Sequence, residues 1–221
     1  MRKIFLISFD DGTIWDRRFV ELLNRFGMKG TFNLNSGLDD FVWYYEDRFP
    51  VRRQTLAQIG DLYHGHEIAS HSLHHHWLNT LTPPQLRREV EDDCAALKKQ
   101  FSLEQIGFGV PFTACSDREI GIIRKFVRYI RLSEFSDSFA PPKDPYHIPI
   151  HGLYNQSDIR QRIREFADST LPVSLFVMAG HSYELEVLDH WGYMEELLQY
   201  IQSFGFETMT TMDFVNEFYG R

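Results

Sequence analysis

Four residues have the types and the spacing of a metal-assisted hydrolytic centre. Asp10 and Asp11 stand side by side where an apolar run meets Gly12, and His71 and His75 follow far downstream. One carboxylate can fix a divalent cation while the other takes a proton from water, and Gly12 lets the chain turn so that both can aim at one pocket. Two imidazoles and one carboxylate are a three-ligand set for catalytic zinc that leaves a position open for water and substrate; cobalt, nickel or manganese can occupy the same set. Within His71-Ser72-Leu73-His74-His75-His76, only separations of three or four residues put two side chains on one helical face. His71 therefore pairs with His75, or alternatively with His74. Each signal has a plain structural alternative, a solvated histidine-rich turn or a simple Asp-Asp-Gly turn, but the coincidence of both favours the site.

His181 comes just after the apolar run 173–178 and is expected at the carboxyl end of a strand. Its ordinary pKa near neutrality suits an acid that protonates a leaving amine; the alternative is a histidine bonded structurally at a strand end. Arg131, His151, Tyr183 and Glu184 are supporting candidates. Trp15, Trp43, Tyr44 and Tyr45 offer a sugar-stacking platform, or core where their spacing is helical.

The elements that must position these groups alternate in type. Apolar runs predict strands at 3–9, 31–35, 67–70, 106–110, 128–132, 173–178 and 206–209. Helical periodicity and capping signals predict helices at 14–26, 55–63, 82–101, 117–127, 158–167, 190–204 and 212–218, the third opened by Thr82-Pro83-Pro84. The aromatic stretch from Phe41 to Phe49 reads as irregular, and 133–150 as a long loop with four prolines. Right-handed crossovers between such units favour a parallel sheet covered by helices, and seven or eight units suit a closed or nearly closed (β/α) barrel. Asp10, Asp11, His71 and His181 then converge at its carboxyl-terminal face.

The chain has 221 residues, 43% of them hydrophobic, and is expected to form one catalytic domain over 1–221. A formal net charge of −8 without a basic cluster argues against a nucleic-acid partner. Cys94 and Cys115 alone give no disulfide framework, and no apolar leader or membrane segment precedes the first strand, so a cytoplasmic location without membrane association is expected. Nothing in the sequence sets an oligomeric state.

The same residues resemble the signature of the polysaccharide deacetylase family, which includes the nodulation-factor chitooligosaccharide deacetylase, and the resemblance spans nearly the whole chain. Ser8-Phe9-Asp10-Asp11-Gly12 is similar to the family's first motif, which implies Asp10 as general base and Asp11 as metal ligand. His66 to His75 resembles the second motif and implies His71 and His75 as metal ligands. Phe108-Gly109-Val110-Pro111-Phe112 resembles the third, in which the residue after the proline lines the site and gives a backbone N–H to the oxyanion, a role that falls on Phe112 beside Pro111. His181 resembles the acid of the fifth motif. Two departures stand out. Gly109 occupies the place of the third motif's arginine, a charge Arg131 can supply from the next strand; the fourth motif's aspartate and tryptophan have only Asp189 and Trp191 nearby.

The resemblance implies a deformed (β/α) barrel and a metal-dependent hydrolase of amide C–N bonds outside peptides. Its substrate would be an acetylated amino-sugar glycan, with a zinc-type cation, Asp10 as base and His181 as acid. Alternatives are hydrolysis of a non-sugar amide or formyl group on the same scaffold, and a carbohydrate-binding module without catalysis.

Overall fold

The computed structural model describes residues 1–113 and 115–220. Its centre is β1 (Arg2–Asp10), buried without a break from Ile4 to Asp10. Such a strand is covered on both faces, which is why it reads as a continuous apolar run. The remaining elements are α1 (Asp16–Arg25), β2 (Thr31–Leu34), β3 (Val42–Tyr45), β4 (Phe49–Arg52), β5 (Glu67–Ser70), α2 (Pro83–Phe101), β6 (Phe108–Gly109), α3 (Asp117–Ile123) and β7 (Ile130–Phe135), followed by β8 (Ile148–Ile150), β9 (Gly152–Leu153), α4 (Ile159–Asp168), β10 (Val173–His181), α5 (Ser182–Val187), α6 (Trp191–Ser203), β11 (Glu207–Thr208) and α7 (Thr211–Tyr219).

The main sheet is parallel and runs β8-β7-β6-β5-β2-β1-β10-β9, with β11 also on β1. Its two ends, β8 and β9, are separated in sequence by His151 alone. The stretch that pairs with β7 through β8 thus pairs with β10 through β9, and the sheet curls back on itself as a deformed barrel with its seam at His151. Pro149 lies inside this stretch, where proline's missing N–H breaks an ordinary ladder.

Side-chain parity separates inside from outside. Ile4 and Leu6 of β1 pack with Ala69, Tyr129, Ile148, Leu175 and Val177 inside the curl. Phe5, Ile7 and Phe9 face the helices, with Phe32, Ile130, Phe176 and Met178. Since strand side chains alternate, the inner series continues through Ser8 to Asp10 on β1, through Ala179 to His181 on β10, from Ala69 to His71 beyond β5, and from Tyr129 to Arg131 on β7. Asp10, His71 and His181 therefore reach the carboxyl ends of three strands on the inner face, and Arg131 joins them from the start of β7.

Several expected elements differ. Residues 55–63 contain only a 3-10 turn, Leu56–Gln58, because successive three-residue turns and Gly60 at a φ of 57° break the α-helical ladder. The aromatic stretch is an antiparallel hairpin of β3 and β4, pairing Val42 with Arg52 and Tyr45 with Phe49. Residues 133–150 supply the end of β7 and all of β8, and α5 and β9 are additional elements. The helix after Thr82 has its expected cap: Thr82 and Gln85 form a capping box across the two prolines of the first turn. Among the described residues, no helix is long and apolar enough to cross a membrane.

Candidate active site

At the end of β1 the chain turns at once, with Asp11 at a φ of 84° and Gly12 at 61°. The turn begins at Asp11 itself, a conformation that costs a non-glycine residue about 1–3 kcal/mol and is kept where surrounding contacts enforce it. Here a buried guanidinium enforces it: Arg53 Nη2 lies 2.9 Å from Asp11 Oδ1, and its Nη1 donates to the Asp11 carbonyl and to Asn35 Oδ1. The twist brings Asp11 to the same cavity as Asp10. Gly12 is fixed as glycine by packing as well, since a Cβ there would come 2.7 Å from Leu34 Cδ2.

Asp10 is held by its Oδ1, which accepts from Arg131 Nη2 at 2.5 Å and from Asn33 Nδ2 at 2.7 Å. Its Oδ2 faces His71 Nε2 at 3.9 Å. Burial pushes this carboxyl's pKa up, but Arg131, followed by His71 and His181, outweighs burial and holds it below the usual range. One oxygen is thus anchored and the other remains for chemistry.

His71 and His75 do not meet on a helix. They lie on a loop in which Ser72 takes a φ of 65° and His75 a φ of 56°, and these two left-handed residues fold His75 back toward His71. The rings meet edge to face with centroids 4.9 Å apart. His71 Nδ1 is 2.8 Å from the Gly109 carbonyl. A carbonyl only accepts, so Nδ1 carries the proton and the Nε2 lone pair points at the carboxylates. Burial pushes the His71 pKa down to about 3 and lowers that of His75, leaving both neutral as ligands must be. Asp11, His71 and His75 bring one donor atom each to within 4.8 Å of one another. His74, the alternative partner for His71, turns away and bonds Glu89 at 2.8 Å.

His181 projects from the end of β10, with Nε2 3.9 Å from Asp11 Oδ2 and Nδ1 3.4 Å from Glu184 Oε2. Burial lowers its pKa, but Glu184, Asp11 and Asp10 reverse this and push it up to about 9. These carboxylates favour its imidazolium form, the one with a proton to give.

These groups line a cavity of about 350 Å³ with Phe112, Arg131, Phe135, Ile150, Leu153 and Tyr183. Phe112 stands at its mouth at a φ of 57°, packed on His75 and stacked on Trp77 with centroids 4.1 Å apart; Pro111 is buried beside it. Tyr183 forms a wall against His181, Trp43 and Tyr45. Trp43 thus reaches the site from the hairpin, Tyr44 remains exposed, and Trp15 packs on the core. A larger open groove of about 800 Å³, between α1 and α6, includes Trp191 but none of these groups.

His151 does not line the cavity that holds His71 and His181. Its Nδ1 accepts from Val177 N at 3.0 Å and its Nε2 bonds the Ser138 carbonyl at 3.0 Å, so both ring nitrogens are committed at the barrel seam. Burial lowers its pKa to about 4. Asp189 and Trp191 likewise lie outside the cavity, and the Trp191 indole donates to Glu186 at 2.7 Å. Conversely, Arg53 and Asn33 were not legible as site residues. Arg53 follows directly after β4 of the hairpin, and Asn33 is distinguished only by its inward parity on β2.

The curled parallel sheet thus carries carboxylates and imidazoles at its carboxyl edge. Residues 1–126 match the polysaccharide deacetylase family, and the chain belongs to it. No curated protein matches it in sequence. Its fold is similar to that of a family 4 acetyl xylan esterase from Clostridium thermocellum in complex with a cobalt ion, at 18% identity over 99% of this chain and 92% of that one, with a TM-score of 0.63. A chitin deacetylase from the fungus Colletotrichum lindemuthianum is similar at 15% identity over 96% of this chain and 87% of that one, with a TM-score of 0.66. A CE4 family pseudoenzyme from Bacillus anthracis shares the fold at 16% identity over 98% of this chain and 66% of that one, with a TM-score of 0.62.

Proposed function

We propose that the protein is a metal-dependent hydrolase of an amide C–N bond that removes an N-acetyl group from an amino-sugar-containing glycan. The observation that carries this reading is the meeting of Asp10, Asp11, His71, His75 and His181 in one cavity. Asp11, His71 and His75 would hold the cation, with zinc favoured by two neutral imidazoles and a carboxylate and with cobalt, nickel or manganese compatible. When bound, such a cation supplies Lewis-acid polarisation of the scissile carbonyl.

The protein's own groups do the rest. Asp10, oriented through Oδ1 by Arg131 and Asn33, takes the proton of the attacking water on Oδ2. The N–H of Phe112 donates to the oxygen of the tetrahedral intermediate. His181, held beside Glu184, gives its proton to the departing amine. Acetate and a free amine leave. Tyr183 and Trp43 form the aromatic wall against which a sugar ring can rest.

A second reading keeps this chemistry but takes a non-sugar amide, and the apolar side of the cavity, Phe135, Ile150 and Leu153, favours it. Acetate release from chitooligosaccharides and from peptidoglycan fragments, with and without chelator, tests the proposal. Chelator-sensitive release supports the glycan deacetylase; retention of glycan without release would identify a binding module instead.

A further inference from the structure

The loop that presents His75 carries a second set of donors on its other side. His74 and His76 flank His75 and turn outward, toward Glu89 on α2. His74 Nδ1 lies 2.8 Å from Glu89 Oε1 and His76 Nε2 lies 3.9 Å from the same oxygen. One atom from each of the three residues falls within 4.8 Å of the others. We propose that His74, His76 and Glu89 form a second divalent-cation site, of the zinc type, that fixes the loop bearing His75.

Three features support it. First, the Glu89 side chain is only 10% exposed, and among the described residues no lysine or arginine lies within ion-pair reach of it. The charged partners within reach of this carboxylate are thus the two imidazoles that would share a cation with it. Second, Glu89 is already positioned: the His74 N–H donates to Oε2 at 2.8 Å, and the Glu89 carbonyl accepts from Leu73 N at 2.9 Å. Oε1 is left facing both rings. Third, His74 and His76 have side-chain exposures of 44% and 54%, so water can complete the coordination of an ion held by two imidazoles and a carboxylate. His74 exchanges its hydrogen bond to Oε1 for a bond to the metal through Nδ1, losing that ring proton to its Nε2 or to solvent.

The consequence concerns His75. It is held at a φ of 56° by a loop with little regular structure, and a cation gripping both neighbours would keep that conformation in place.

Equilibrium dialysis of the chelator-stripped full chain against zinc, read by metal analysis, tests the proposal. The wild-type chain is expected to bind two equivalents, and His76→Gln and Glu89→Gln one each. His71→Ala is expected to keep one, and its combination with His76→Gln none. His76 is exposed and donates no hydrogen bond that the fold depends on, so its variant remains informative if Glu89→Gln fails to fold. Equal stoichiometry in the wild type and His76→Gln would overturn the second site while leaving the hydrolytic reading intact. That reading fails separately if His71→Ala loses no zinc.

Discussion

Gly109 and Arg131 are register partners on β6 and β7, and the glycine leaves the space that the guanidinium fills. A Cβ on Gly109 would come 2.6 Å from Arg131 Nη2 and 2.7 Å from Asn33 Oδ1. The two residues that orient Asp10 therefore both depend on an absent side chain. The charge that the family motif would place at 109 reaches the aspartate from one strand further along.

Gly109→Ala should consequently act on catalysis more than on the fold. Its φ lies outside the left-handed region, so the backbone accepts alanine, and overpacking should cost about 1–3 kcal/mol. Displacing Arg131 and Asn33 from Asp10 should lower kcat by roughly 100-fold with little change in KM. Steady-state kinetics beside a denaturant melt would check this; an unchanged kcat would show that Asp10 needs neither partner.

Arg131→Met leaves the buried Asp10 carboxylate without its main compensating charge and should destabilise the protein by about 3–5 kcal/mol. Adding Asp10→Asn removes the stranded charge, so the double variant should recover much of that stability while remaining inactive. Additive losses in the double-mutant cycle would contradict the coupling.

How much of this was legible in the sequence follows from the range of the interactions. Asp10 and Asp11 stand at the end of a run buried on both faces, and strand polarity alone carries His181 to the same edge. His71 and His75 do meet, but by a different local route from the one expected, since left-handed Ser72 and His75 rather than a helix bring them together. The β3–β4 hairpin was hidden because its turn uses Glu46 and Asp47 at positive φ, without the glycine or asparagine that usually marks such a turn. Arg53 was hidden with it. His151 stood as a supporting candidate by type, but its bonds to Val177 and Ser138 belong to the seam, and that seam depends on pairing between distant segments.

Arg53 should also be visible in the response to metal. Without a cation its guanidinium is the main compensation for buried Asp11, whose pKa it holds well down against burial. Arg53→Met should melt earlier when chelated and gain more from added zinc than the wild type does. Thermal melts with chelator and with zinc measure the two shifts, and equal gains would mean that Arg53 and the cation do not share Asp11.

A pH dependence is expected away from the site. Glu67 accepts from Tyr129 Oη at 2.7 Å, Thr31 Oγ1 at 2.8 Å and Met212 N at 2.8 Å, pinning the start of α7. Burial raises its pKa from 4.5 to about 7 despite these donors. The folded protein holds this proton more tightly than the unfolded chain, so its stabilising contribution is complete below about 4.5 and is lost as pH rises to about 7. Glu67→Gln does not titrate, and its stability relative to the wild type should rise through that window by up to about 3 kcal/mol, then level off. Urea melts at several pH values would show this, and a difference independent of pH would refute it.

The most direct test of the hydrolytic centre is anomalous diffraction at the zinc edge from crystals of the zinc-loaded protein. A peak about 2.0–2.2 Å from donor atoms of Asp11, His71 and His75, in the cavity that also holds Asp10 and His181, is the result expected. Ordered protein with no cation between those three residues under saturating zinc would contradict it.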